Sequence, residues 1–326
     1  MPTLQKNSRR SLGRRELLIR AGRLALGAAA AGLPHSLLAE EEEPLEVSYA
    51  GSMTTVMEGA IKAAASRRLH LEVRGRAQGA SGLAQLIVSG SIRPDVFISI
   101  TPGPMQIVLH ARKAQMAQAI ARTEMVIAYS PKSRFAEKFL RCLENEKKKS
   151  PQSEDWWQIL EEPGLRFGRT DPVTDPQGRN IIFVMMLAAK LYRQADLVER
   201  VLGPTINERQ IFSEPSVEAR LQSGELDAAS AYKVQPGPFG VPYISLPPEI
   251  NLGGGDEEIG HPEITLMLNG RSYHPEPLIY YAAALKDATH SAAAAAFVAW
   301  LQGEEAQAIL RRAGYDPAPS AAPLQP

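Results

Sequence analysis

The chain has a single cysteine, Cys142, in 326 residues, which excludes an intramolecular disulfide. Cys142 lies far from the N-terminus, so it is not placed to carry a lipid anchor. Long apolar runs are equally scarce. Beyond the N-terminal region no stretch approaches the roughly 18 residues that cross a bilayer as a helix, so the body reads as soluble. Neither sign of charge is in excess, with 36 Lys and Arg against 36 Asp and Glu. No basic field for nucleic acid stands out, and a nucleic-acid partner is not expected. Enzyme signatures are missing too. Gly79-Ala-Ser-Gly82 carries its second glycine one residue too early for a nucleophile elbow, and no phosphate-binding G-x-x-x-x-G-K-[ST] loop occurs. The six histidines are scattered without metal-ligand spacing, and no internal repeat is found. No cofactor and no protein-coordinated metal ion are therefore expected.

What is present begins with an asymmetry. The first 39 residues hold seven basic residues and one acid, leaving 29 basic against 35 acidic residues in a mildly acidic remainder. An apolar run, Leu24 to Leu33, follows the basic start and gives way to small residues ending near Ala39. This is the pattern of an export signal over residues 1–39. The pairs Arg9-Arg10 and Arg14-Arg15 resemble the twin-arginine consensus. Periplasmic or other extracytoplasmic localisation is the expectation.

Short apolar runs then alternate with helical patterns, which argues for an α/β architecture. Strands are predicted at Leu45–Ala50, Leu69–Arg74, Asp95–Ile100, Met125–Tyr129, Ala228–Tyr232 and Leu278–Leu285. Helices are predicted from Met53, Ser81, Thr101 and Asp175, then over Ser291–Leu301 and Glu304–Ala313, with Gly314 closing the last. The Pro/Ala tail, residues 318–326, is expected to be disordered.

A recurring feature is a strand that ends in a small or polar residue opening a helix. Gly51-Ser52, Gly79-Ala-Ser-Gly82, Asp175-Pro-Gln-Gly178 and Pro215-Ser216 all have this form. Free N–H groups and the partial positive charge at helix starts attract anions, and Ser hydroxyls add donors without formal charge. Asp175-Pro176 reads as an N-cap followed by proline at N1. Gly178 would let a ligand approach the backbone. Any one such turn is most simply an ordinary helix cap. Four in one α/β chain, at the strand ends where such sheets bind ligands, suggest a small oxyanion held by hydroxyls and amides. Arg179 is placed along the helix surface.

These motifs resemble the molybdate/tungstate-binding proteins of ABC importers, over about Val47 to Pro317. The stretches that carry the likeness include Tyr49-Ala-Gly-Ser-Met53, Arg93-Pro-Asp-Val-Phe-Ile-Ser99 and the long run from Phe167 to Arg179. The resemblance implies a two-lobed type II periplasmic-binding-protein fold with a ligand cleft between the lobes. It places 45–121 and 282–317 in lobe I and 127–276 in lobe II, with hinge crossings at 122–126 and 277–281. It maps anion contacts onto Ser52, Ser81 and Tyr232, and backbone donors onto Asp175, Gln177, Gly178, Ser216 and Val217. The implied partners are a small oxyanion and the membrane permease of an ABC importer, with the protein acting as a monomer and not as an enzyme. One departure matters. Tungstate-type members bring two carboxylates to the metal of the oxyanion, near Asp175 here, but the segment that supplies the second reads Ser230-Ala231-Tyr232. Tetrahedral capture by hydrogen bonds is therefore expected, with Asp175 acting mainly as a cap. Sulfate or another small anion is the alternative cargo, and an enzyme on the same scaffold is the remaining reading.

Overall fold

The computed structural model describes residues 42–148, 155–254, 261, 263–320 and 322–326. The export signal expected over residues 1–39 lies outside the described residues.

Strand β1 (Glu43–Ala50) alternates buried and exposed residues at its start and is wholly buried from Val47 onward. A 3-10 turn at Gly51–Met53 leads into α1 (Thr54–Val56), a π-helical turn at Met57–Ile61 and α2 (Lys62–Leu69). Then come β2 (Leu71–Gln78), α3 (Ala80–Val88), β3 (Val96–Ser99), α4 (Pro102–His110) and β4 (Gln118–Arg122). These strands join β11 (Ile279–Ala284) in a five-stranded sheet ordered β2-β1-β3-β11-β4. Its β1, β2 and β3 pairings are parallel, while β11 runs antiparallel to β3 and β4. β3 lies inside the sheet, and all four of its residues are buried. That is why it reads as an unbroken apolar run and not an alternating one.

The second sheet, β6-β7-β5-β8, is built from the middle of the chain. It contains β5 (Met125–Tyr129), β6 (Phe167–Gly168), β7 (Ala228–Tyr232) and β8 (Tyr243–Ser245). Between them lie α5 (Ala136–Lys148), α6 (Trp156–Leu160), α7 (Pro176–Leu191), α8 (Leu197–Leu202) and α9 (Glu214–Ser223). A small hairpin, β9 (Leu266–Leu268) with β10 (Arg271–Tyr273), precedes β11. α10 (Ser291–Leu301) and α11 (Glu304–Arg312) follow it. The chain thus leaves the first sheet after β4 and returns to it at β11. Thr123 N–H donates to Leu278 C=O at 3.0 Å where outgoing and returning segments run side by side.

Strands β4, β6, β8, β9 and β10 and the C-terminal tail differ from expectation. β4 escaped notice because Gln118–Arg122 is short and half-polar. The described part of the tail expected to be disordered, residues 318–320 and 322–326, is tied back to the fold. Leu324 exchanges both backbone hydrogen bonds with Ala117 and packs against the core. One apolar side chain and a free sheet-edge backbone outweigh the disorder that composition suggests.

Candidate functional site

Four helix entrances face the cleft between the two sheets, and each has a local cause. α3 starts after Gly79, whose extended backbone turns the chain out of β2. α7 starts at Asp175, which accepts Gln177 N–H at 2.9 Å, and Pro176 fills N1 without losing a hydrogen bond. α9 starts after Ser213 with Pro215 in its first turn. The fourth is the 3-10 turn at Gly51-Ser52. Across the cleft, a Cβ at position 79 would lie 2.8 Å from Thr174 O. Only a glycine lets these two turns touch.

Thr174 borders two cavities. The first, about 750 Å³, is lined by Gly51 and Ser52 from one side and by Asp175, Glu214, Glu218 and Gln235 from the other. Ser52 Oγ is hydrogen-bonded to Tyr280 Oη at 2.9 Å, and Tyr315 O–H donates to Ser52 C=O at 3.1 Å. Burial keeps the Tyr280 phenol neutral, so a proton is always available in that pair. Asp171, Asp175, Glu214 and Glu218 all line this space, and among the described residues none that lines it is Lys, Arg or His.

Its electrostatics follow from that inventory. Burial, then the neighbouring acids Asp175 and Glu218, push Glu214 well above the ordinary carboxylate range, against a hydrogen bond from Gln235. Burial pushes Glu218 up to about 7. Asp175 is also raised by burial, but Gln177 N–H and the Arg179 charge oppose the shift. Of the coupled carboxyls Asp175 and Glu214, Glu214 is therefore the one that holds a proton.

The second cavity, about 760 Å³, is lined by Ser81, Arg179, Asn180, Tyr273, His274 and Glu276 among others. Arg179 is not a surface residue as the sequence suggested. It is 6 % exposed, donates to Ser81 Oγ at 2.7 Å and to Pro172 C=O at 2.8 Å, and stacks on Tyr273. Its guanidinium finds those partners only because α3 and the β10 hairpin close over α7, which no local pattern announces.

None of the remaining site candidates lines either cavity. Gln177 is buried; its amide donates to Gln235 Oε1 at 2.6 Å, and its N–H is used by the Asp175 cap. The close approach at Gly178 is to the chain's own backbone, since a Cβ there would sit 2.6 Å from Pro172 N. Ser216 Oγ accepts from Arg220 at 3.2 Å, and Val217 is buried with its N–H bonded to Ser213 C=O. Tyr232 is buried, and its Oη accepts from Asn180 at 3.1 Å. Ser52 and Asp175 thus share one cavity, whereas Ser81 lines the other beside Arg179. Among the described residues no group of three or more His, Cys, Asp or Glu is placed to hold a metal ion.

Glu214 and Gln235 escaped sequence reasoning. Gln235 Nε2 donates to Glu214 Oε1 at 2.6 Å, and Gln235 Oε1 accepts Tyr232 N–H at 2.7 Å, so it links α9 to the end of β7. The one available signal was Glu214-Pro215 opening a helix, where an acid is commonly just a favourable first-turn charge.

Residues 45–316 match the family model of bacterial extracellular solute-binding proteins. The chain belongs to this family. Among its relatives, the molybdate/tungstate-binding protein WtpA of Thermococcus kodakarensis is 27 % identical over 83 % of this chain and 81 % of that protein. The periplasmic molybdate-binding protein of Azotobacter vinelandii shares the fold, with a TM-score of 0.54, 19 % identity and coverage of 83 % and 98 % of the two chains. The sulfate-binding protein SubI of Mycobacterium tuberculosis shares it at a TM-score of 0.57 and 12 % identity, over 84 % and 87 %. The family's two-lobed α/β fold is the one seen here, each lobe organised around one of the two main sheets. Among the described residues no helix is long and apolar enough to cross a membrane.

Proposed function

We propose that this chain is the exported, extracytoplasmic solute-binding component of an ABC importer and that it captures molybdate or tungstate between its lobes. The observation that carries this reading is the cavity lined by the Ser52 turn on one side and the Asp175 turn on the other, without a cationic side chain. A site of that kind grips through hydroxyls, amides and helix-start dipoles. The printed function of the WtpA relative points to the same cargo. The segments near 122–126 and 277–281 serve as the hinge, and ligand favours the closed arrangement by binding it better than the open one. The protein works as a monomer, has no catalytic role of its own, and hands its anion to a membrane permease.

A thermal-shift titration tests the reading. Molybdate and tungstate are expected to raise the melting temperature, because a ligand that binds only the folded state stabilises it. Sulfate is expected to do so less, and Ser52→Ala to lose most of the molybdate shift. A protein that responds to no oxyanion would refute the proposal, and a larger response to sulfate would reassign the cargo.

A further inference from the structure

Glu214 is the least expected group in the cleft. It stands on α9, yet its carboxyl is seated over Gly51 of the opposite lobe, where a Cβ would collide with Oε2. Gln235 holds Oε1 from behind at 2.6 Å. The titratable groups facing it are Asp175 at the start of α7, Glu218 on its own helix, and the phenols Tyr232, Tyr280 and Tyr315. None of these brings a positive charge. Arg179, which acts on Asp175, lines the other cavity and donates to Ser81 and Pro172. Behind Glu214, Ser230 Oγ is buried, has no hydrogen-bond partner, and borders an apolar recess that Glu214 and Gln235 also line. The cavity is acid-rich, and a buried hydroxyl behind it is left without a partner. A dianion entering it beside ionised Asp175 and ionised Glu214 meets like charge on both sides at low dielectric.

We propose that Glu214 is an anion-binding residue in its neutral form: its carboxyl O–H donates to the captured oxyanion, and one proton from solvent enters the cleft with each anion. This rests on the oxyanion-binding reading above and names the residue that makes it electrostatically feasible. When the lobes part, Glu214 loses its cover from Gly51, faces water and ionises like an ordinary glutamate. Closure buries it again and returns the proton. The arrangement also selects among tetrahedral dianions. A carboxyl O–H bonds more strongly to the more basic oxyanion, so molybdate gains more from Glu214 than sulfate, whose conjugate acid, hydrogen sulfate, is the stronger acid.

The sign of the pH effect follows. Because closure raises the Glu214 pKa, affinity is highest in acid and falls close to tenfold per pH unit between the ordinary carboxylate range and the raised value. The test is calorimetry of molybdate binding to the whole mature protein between about pH 7 and pH 9, in buffers of different ionisation enthalpy, which counts protons directly. About one proton taken up per anion is expected for the native protein. Glu214→Gln keeps a neutral donor, so it should bind with a pH dependence below about twofold per unit and with a smaller preference for molybdate over sulfate. Glu218→Gln should keep the native slope above about pH 8. Molybdate bound without proton uptake overturns the proposal and leaves the oxyanion-binding function standing, as does an unchanged slope in Glu214→Gln. No binding of any oxyanion at any pH overturns both. The native proton count decides the matter even if the variant folds poorly.

Discussion

Arg179 on α7 donates to Ser81 Oγ on α3 at 2.7 Å, so a buried guanidinium ties the helix start of one lobe to that of the other. The same guanidinium braces Pro172 C=O at 2.8 Å, in the turn that leads to Asp175. One side chain therefore both links the two lobes and braces the turn before α7. Arg179→Gln should weaken molybdate binding by about 10- to 100-fold, the worth of a charge-assisted hydrogen bond of about 1.5–3 kcal/mol. Calorimetry measures the affinity, and small-angle scattering should show a more open ligand-free form. Unchanged affinity would mean that the Arg179–Ser81 link does not contribute to closure.

Two glycines make opposite predictions. At Gly178 an added Cβ meets the backbone of the same lobe, 2.6 Å from Pro172 N. Gly178→Ala should cost about 3 kcal/mol in urea unfolding, because neither backbone can give way. At Gly79 the added Cβ meets Thr174 O across the cleft at 2.8 Å. Gly79→Ala should therefore impair closure and lower affinity, while stability in the absence of ligand changes by less than about 0.5 kcal/mol.

Asp227 anchors β7 through Ser133 Oγ at 2.8 Å and Arg166, whose N–H and guanidinium both donate to it. Burial alone would raise its carboxyl, but these hydrogen bonds outweigh it and hold the group below the ordinary aspartate range. A depressed folded-state pKa contributes stability that is present above the unfolded value, about 3.9, and lost as pH falls through the folded one. Asp227→Asn should cost about 2 kcal/mol at neutral pH, Arg166 being half exposed, and the gap from the native protein should close below about pH 4. Urea titrations at the two pH values check this.

X-ray absorption of the tungstate complex should show four oxygen neighbours. Asp175 is occupied as the cap of α7, accepting Gln177 N–H, and a neutral Glu214 bonds to an oxyanion oxygen through its proton. Six oxygen neighbours would mean that carboxylates enter the coordination sphere.

Much of the fold was legible along the chain. Met125–Tyr129 and Ala228–Tyr232 coincide with β5 and β7, because short β-branched and small apolar runs between turns have few other uses. Asp175-Pro176 announced the start of α7 through the fixed φ of proline and the acceptor beside it. Short polar strands such as β4 were not legible, since their existence depends on neighbours that supply pairing partners. The candidate site was half legible. Ser52 and Asp175, singled out through the chemistry of helix entrances, line one cavity. The departure at Ala231 was read as the loss of a carboxylate, yet Glu214 reaches the same cleft from another helix.

By itself the sequence determined the α/β alternation, the polar helix starts and the single cysteine that excludes an intramolecular disulfide, because these are read from the chain alone. Only the tertiary structure decided which side chains meet. Arg179 turned inward to Ser81, Glu214 came to rest over Gly51, and Leu324 returned to Ala117. Each of these contacts joins residues 98 positions apart or more, and such contacts form only when separate elements pack against one another.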